Sequence, residues 1–286
     1  MSRLFVLGCS FTNYAWPTWA DMLGTEYEFY ENWAFPGLGN KAIAERLVEI
    51  HARYNLTQED TVILQWTSHL RHDWHTTDTR HTDYAGWKTC GSIFNYINSK
   101  IYTDNWIETF WDEDSYVMHM LHNIILAKNL LQNINCNWYM TSMGEIEKMN
   151  SDYPGADMGE IGSKNNIWKD IPQFKIYKDL IFDNKTHWIE PIGTVTWNSG
   201  EPGYKFKKKD FVNWYHDQHP SVEQHAYYLQ NYVKPKIKNS QDLSNKSKNW
   251  IDKVNNAYDN CRYDFDRFVQ AINKDIGAWD NYYRGL

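Results

Sequence analysis

The chain has 286 residues, 42% of them apolar, with 15 Trp, 20 Tyr and 12 Phe, which supplies the bulk for a large globular core and excludes a disordered chain. A net charge of −7 and a sequence pI of 5.9 argue against a nucleic-acid partner, and no apolar run reaches the roughly 18 residues of a membrane-spanning helix. Four cysteines, Cys9, Cys90, Cys136 and Cys261, share no metal-ligand spacing and are too sparse for a disulfide scaffold. They read as free thiols in a reducing compartment. The opening Met1, Ser2, Arg3 carries no signal-peptide cleavage pattern, so a cytoplasmic location is expected.

In chain order, Leu4, Phe5, Val6, Leu7 form a short apolar run that predicts a buried strand ending at Gly8. Trp16 to Leu23 suits a short helix with Pro17 in its first turn, where a missing N–H does no harm. Residues 26–33 predict a second strand. Pro36, Gly37, Leu38, Gly39 predict a loop, and Asn40 to Tyr54 a helix with Ile43, Leu47 and Ile50 on one face. Thr61 to Leu64 predict a third buried strand. This alternation implies parallel strands with helices on both faces.

Residues 68–114 lack a sustained period and read as an insertion over the carboxyl ends of the strands, where ligands bind in open α/β sheets. A helix follows over Ser115 to Asn133, then a fourth strand over Cys136 to Thr141. A second irregular region spans 142–215, with a helix near 173–182 and an extended piece near 187–197. The Asp217–Pro220 loop precedes a helix from Ser221 to about Tyr232, ended by Pro235. The remainder predicts a polar loop and one long helix with Trp250, Val254, Tyr258, Phe265, Phe268 and Ile272 as its apolar positions. The expected organisation is an α/β/α domain over 1–238 and a C-terminal helical extension over 239–286, the latter available for self- or assembly contacts.

The chemistry concentrates at two junctions. Ser10 follows the first strand, on a turn where a hydroxyl can be presented and backbone N–H groups can meet a developing oxyanion; an N-cap serine is the plainer reading of that residue alone. Some 200 residues on, Asp217 and His219 stand two apart in a loop before a helix, suited to a general base and its orienting carboxylate.

Together these blocks resemble the SGNH hydrolases, also called GDSL esterases and lipases. Gly8, Cys9, Ser10, Phe11, Thr12 match the serine block; Asn32 to Asn40 match the glycine block; Asp217 and His219, followed by Pro220 and His225, match the last block. The resemblance implies a three-layer α/β/α sandwich with a parallel five-stranded, flavodoxin-like sheet, and ester hydrolysis through Ser10, His219 and Asp217. It further implies an oxyanion hole with Gly37 and a side-chain donor, here Asn40 or Thr67, with no cofactor and no metal. The chain departs from the family at Cys9, where an aspartate is usual. It departs again at Gln65, Trp66, Thr67, Ser68, where a Gly-x-Asn-Asp run is usual, and in an Asp–His spacing one residue short, which puts His216 at the commoner position. Looser likeness to hydrolase-like proteins of tailed phages implies a non-catalytic, glycan-binding or virion component as the rival reading.

Trp66, Trp74, Trp87, Trp106 and Trp111 crowd one stretch. Aromatic rings around a cleft stack on sugar C–H faces, so Trp66, Trp74 and Trp87 are expected to contact the substrate, an acylated carbohydrate. His69, His72, His75 and His81, interspersed with Asp73, Asp78 and Asp83, read as a solvated lid and not a metal site.

Overall fold

A computed structural model describes residues 2–75, 87–94, 102–144, 146, 172–182, 185–193, 203–207, 214–217, 219–239, 241–261 and 264–276. Its centre is a parallel sheet of β1 (Arg3–Leu7), β2 (Phe29–Asn32), β3 (Thr61–Trp66) and a fourth strand, Asn137–Ser142, in the order second, first, third, fourth. Strand and side-chain alternation agree. Phe5, Leu7, Val62, Leu64 and Trp66 enter one apolar cluster, and Leu4, Val6 and Ile63 enter the other. Burial on both faces is what helices packed on either side of a parallel sheet require.

Among the described residues four strands, not the expected five, are hydrogen-bonded along their length. The fifth position is held by a single parallel bridge, Met140 to Trp188, continued by Ile189 N–H to the Met140 carbonyl at 2.8 Å and Ile192 N–H to the Ser142 carbonyl at 3.2 Å. Of the extended piece expected near 187–197, the described residues 187–193 lie beside the fourth strand and pair with it only at these points.

One face carries α2 (Asn40–Tyr54), a helix at Glu113–Ile134 and a helix at Pro172–Phe182. The first of these starts at the expected residue because the Asp73 carboxylate accepts from Gly39 N–H at 2.9 Å and Ala42 N–H at 3.2 Å, a cap supplied from 31–34 positions along the chain. It stops at Asn55, which takes the left-handed conformation. The opposite face carries α1 (Trp19–Gly24), which begins later than expected. Thr18 is its N-cap, because the Thr18 N–H and hydroxyl both donate to Asp21, at 2.8 and 2.7 Å, so Pro17 lies outside the helix.

The region after β3 is more ordered than its sequence suggests. Arg71–His75 (β4) pairs antiparallel with Trp87–Ser92 (β5), and Asp104–Phe110 forms α3 with Thr103 as its cap. The long helix that follows is α4 (Glu113–Ile134) and the fourth sheet strand is β6; Pro172–Phe182 is α5. A second hairpin, Lys205–Lys207 (β7) with Trp214–His216 (β8), leads directly into Asp217. His81, Asp78 and Asp83 lie outside the described residues.

The helix α6 (Val222–Tyr228) passes into a wider π turn over Leu229–Val233 and one further turn to Lys236, beyond Pro235. The widening relieves the clash that a proline ring makes with the preceding turn. The C-terminal part is two helices, α7 (Asn245–Cys261) and α8 (Phe265–Ile276), not one. Asp264 sets the break: its carboxylate accepts from Arg267 N–H at 3.1 Å and restarts the helix as an N-cap. Val254, Ala257, Phe268 and Ile272 enter the same cluster as Leu4 and Trp16, so these helices complete the core on that face. Among the described residues no helix is long and apolar enough to cross a membrane.

The strand bases are tied by Arg3, whose guanidinium donates twice to Asp60, both at 2.6 Å. Burial alone would push the Asp60 carboxyl up, but the Arg3 and Thr57 hydrogen bonds outweigh it and hold the pKa below its usual range. Removing one partner with Asp60→Asn is expected to cost about 3 kcal/mol at neutral pH. A depressed carboxylate stabilises the fold above its unfolded pKa of about 3.9, and that share is lost as pH falls through the folded value. Urea unfolding at pH 6 should separate the variant from wild type, and the gap should close near pH 2.

Candidate active site

The turn after β1 is built to fold back on itself. Thr12 N–H and Asn13 N–H both donate to the Cys9 carbonyl, at 2.9 and 3.1 Å, so Ser10 sits at the crest of a single tight turn. It does not open a helix; α1 begins nine residues later. Gly8 is required because a Cβ there would lie 2.3 Å from Thr12 Oγ1 and 3.1 Å from Gln65 Cβ. Thr12 Oγ1 donates to Gln65 Oε1 at 2.5 Å, and the Thr12 carbonyl accepts from Thr18 Oγ1 and Asn32 Nδ2, at 2.6 and 2.9 Å. Ser10 is thus buried, at 5% exposure, on a turn clamped from the first, second and third strands.

Asp217 and His219 form a pair. His219 Nδ1 is 2.6 Å from Asp217 Oδ1, and His219 N–H donates to the same oxygen at 2.9 Å. The second carboxylate oxygen, Oδ2, accepts from the Tyr14 hydroxyl at 2.7 Å. The Tyr14 ring also stacks on the imidazole, centroids 3.7 Å apart and planes 19° from parallel, while the Phe11 ring lies 5.3 Å away. Both aromatic residues belong to the segment that follows Ser10. The His219 imidazole is therefore seated on the serine turn, with Nδ1 committed to the carboxylate. Among the described residues no hydrogen bond joins Ser10 to His219; such contacts often tighten only with substrate bound.

Electrostatics follow from these partners. Burial would raise the Asp217 carboxyl, but the His219 and Tyr14 hydrogen bonds and the histidine charge keep it below its usual range, so it is ionised. His225, fully buried on α6, is pushed down to about 3 by burial, with the His219 charge adding to the effect. It is a neutral core residue.

Two residues that carry no sequence motif hold the pair. Gly203 has φ +67°, and a Cβ on it would lie 2.0 Å from the Asp217 carbonyl and 2.2 Å from that of His219. Trp16 Nε1 donates to the Pro220 carbonyl at 2.9 Å. A Pro–Gly pair at 202–203 signals a turn in sequence, but nothing there announces whose backbone it supports. Tyr14 is equally silent, since its partner lies 203 positions away.

The remaining expected site residues divide. Gly37, at φ +86°, sits in a turn closed by Leu38 N–H to the Phe35 carbonyl, and Phe35 N–H reaches the Gly8 carbonyl at 3.2 Å, which brings this loop beside the serine turn. The Asn40 amide is spent on the backbone: Nδ2 donates to the Thr67 carbonyl at 3.0 Å and Oδ1 accepts from Thr67 N–H at 2.9 Å. Thr67 is fully buried, with its hydroxyl 4.0 Å from Met143 Sδ. Trp66 and Trp87 do not face a cleft. They lie at 0% and 4% exposure in the cluster under α2 and α4, because β3 turns Trp66 to that side and β5 packs Trp87 down onto it. Trp74 is half-buried and borders a cavity between α2, β4 and α4. The described part of the insertion meets the glycine loop through Gly91 N–H to the Gly37 carbonyl and Arg71 to the Leu38 carbonyl, and otherwise packs on α2 and α4. Among the described residues no group of three or more His, Cys, Asp and Glu is arranged to hold a metal ion.

No protein-family model and no curated protein matches the chain. Among solved structures it is similar to the psychrotrophic esterase EstA from a Pseudoalteromonas species, in a form inhibited by monoethylphosphonate, with 11% identity over 83% of this chain and 99% of that one and a TM-score of 0.41. It is also similar to a member of the lipolytic protein G-D-S-L family from Veillonella parvula, with 12% identity over 80% of this chain and 94% of that one and a TM-score of 0.41.

Two expectations test the site's construction. Gly203→Ala should displace the Asp217–His219 backbone and abolish the low-field Nδ1 proton resonance of His219 while the protein stays folded by circular dichroism; an unchanged resonance would refute the role given to Gly203. His225 has a folded pKa far below the usual histidine value, so its burial stabilises the fold above about pH 6.5 and loses that share as pH falls toward 3. His225→Leu should flatten the stability profile between those limits.

Proposed function

We propose that this chain is a serine ester hydrolase. The observation that carries the reading is the Asp217–His219 pair seated on the Ser10 turn by Phe11 and Tyr14. The motif order, which resembles that of SGNH hydrolases, supports it. In this reading Ser10 Oγ attacks the acyl carbonyl and gives its proton to His219 Nε2. The imidazolium, held by Asp217, passes that proton to the departing alcohol. Water, deprotonated by the same nitrogen, then releases the acid and restores Ser10. Backbone N–H groups of Ser10 and Gly37 receive the oxyanion.

In this reading the Asn40 amide, bound to the Thr67 backbone, shapes the end of β3, and a side-chain oxyanion donor of full strength is missing. One missing donor costs about 3–4 kcal/mol of transition-state stabilisation, so turnover is slow. An acylated carbohydrate remains the substrate class that the aromatic-rich sequence suggests, although Trp66 and Trp87 are core residues and Trp74 lines a cavity away from Ser10. The rival reading, a non-catalytic glycan-binding component of the same fold, is favoured by one observation: the Ser10 hydroxyl and His219 are not hydrogen-bonded to each other.

A fluorophosphonate probe separates the readings. Stoichiometric labelling of wild type, abolished in Ser10→Ala at an unchanged melting temperature, is the expected result; a fully folded protein that resists the probe supports the rival. His219→Ala should lose about three orders of magnitude or more in rate, and Tyr14→Phe, which frees one Asp217 oxygen, a smaller factor of about ten.

A further inference from the structure

A concavity lies on the α2 and α4 side of the sheet, lined by none of Ser10, Asp217 and His219. Its volume is about 420 Å³, within the range of small-molecule sites. Its walls are the first turns of α2, strand β4 and one face of α4, on which Tyr116, His119 and Asn123 recur at helical spacing.

The charges along the wall already have partners. Lys41 and Glu45 pair at 3.8 Å; the Arg71 guanidinium donates to the Leu38 carbonyl at 2.9 Å; the Asp73 carboxylate caps α2. Two cations and two carboxylates balance, so the cavity offers a phosphate or a nucleotide no net attraction. What it presents instead are neutral groups able both to donate and to accept. His72 Nδ1 is 3.0 Å from the Tyr116 hydroxyl, and burial, aided by Lys41 and His119, keeps that imidazole uncharged. Beside them stands the Trp74 indole, held in place by Tyr102 stacked at 5.3 Å with planes 4° apart and by His72 edge-on at 5.0 Å. A rigid aromatic ring next to a balanced polar wall suits a ligand with apolar C–H faces and a rim of hydroxyls.

We propose that this cavity is a binding site for a neutral saccharide, with the sugar ring against Trp74 and its hydroxyls on the α4 face. The site is separate from the Ser10 turn and holds whether or not Ser10 is a nucleophile.

Calorimetric titration of the full chain, with glucose, galactose, N-acetylglucosamine and their short oligomers, tests it. At least one should bind with a Kd on the order of 1 mM or tighter, equally in wild type and in Ser10→Ala. Trp74→Ala and, separately, Asn123→Ala should weaken it by about tenfold or more, while Phe110→Ala, on an exposed position outside the cavity, should not. Asn123 sits on the helix surface, so its variant keeps the test valid if Trp74→Ala fails to fold. Absence of binding by every neutral sugar overturns the proposal. So does binding that survives both cavity variants, that is lost in Ser10→Ala, or that is weaker than for glucose 6-phosphate or octanoate.

Discussion

The candidate site depends on one buried carboxylate. Asp21 has no contact with solvent to speak of, and burial pushes its pKa up; four donors offset that, from the Thr18 N–H and hydroxyl, the Tyr30 hydroxyl and Asn32 Nδ2. Asn32 Nδ2 makes a second bond to the Thr12 carbonyl, and the Thr18 hydroxyl lies within hydrogen-bond distance of both Asp21 and that carbonyl, with one proton to share between them. A single acid side chain thus fixes the start of α1, the end of β2 and the fold of the serine turn together. An unsatisfied buried carboxylate would be far more expensive than any one of these bonds is favourable. The polar network is therefore all-or-none, and that cooperativity holds Ser10 in one place.

The dyad arrives by different means. It is not delivered by a strand of the main sheet but by the small hairpin β7–β8, braced by Asp217 N–H to the Tyr204 carbonyl at 2.8 Å and by the glycine contact at 203. Ring packing then locks it down. Trp16 meets Tyr204 edge-on at 5.0 Å and Phe268 at 5.8 Å, so the serine segment, the hairpin and α8 share one aromatic block. Flat, stiff side chains supply much contact area with few rotamers to freeze, which suits a loop whose backbone has little regular hydrogen bonding.

How much of this was legible before the structure differs residue by residue. Alternating apolar runs placed β1, β2, β3 and β6 and the helix Asn40–Tyr54, because periodicity is a local property. Ser10, Asp217 and His219 stood out because they carry local motifs. Tyr14 and Gly203 did not, since their roles lie wholly in contacts some 200 positions away. Trp66 and Trp87 were expected in a cleft, yet an indole in a strand reads the same whether its face looks to solvent or to a core helix. The long C-terminal helix was expected as one because its apolar spacing continues across Asp264; only the carboxylate's bond to Arg267 N–H shows where the chain turns.

The aromatic block around Trp16 also bears on how the molecule is made. During synthesis the first 142 residues emerge with all four sheet strands, so the layered scaffold and the Ser10 turn are assembled early. The imidazole, its carboxylate and the helices that bury Trp16 come later, and the contacts that join them to the serine segment span 203 positions from Tyr14 to Asp217 and 204 from Trp16 to Pro220. Until those long-range contacts close, the four-stranded sheet is left with one aromatic flank uncovered. The late-arriving segment closes that flank and completes the site in the same event, which makes the final third of the chain a folding gate as well as a structural cover.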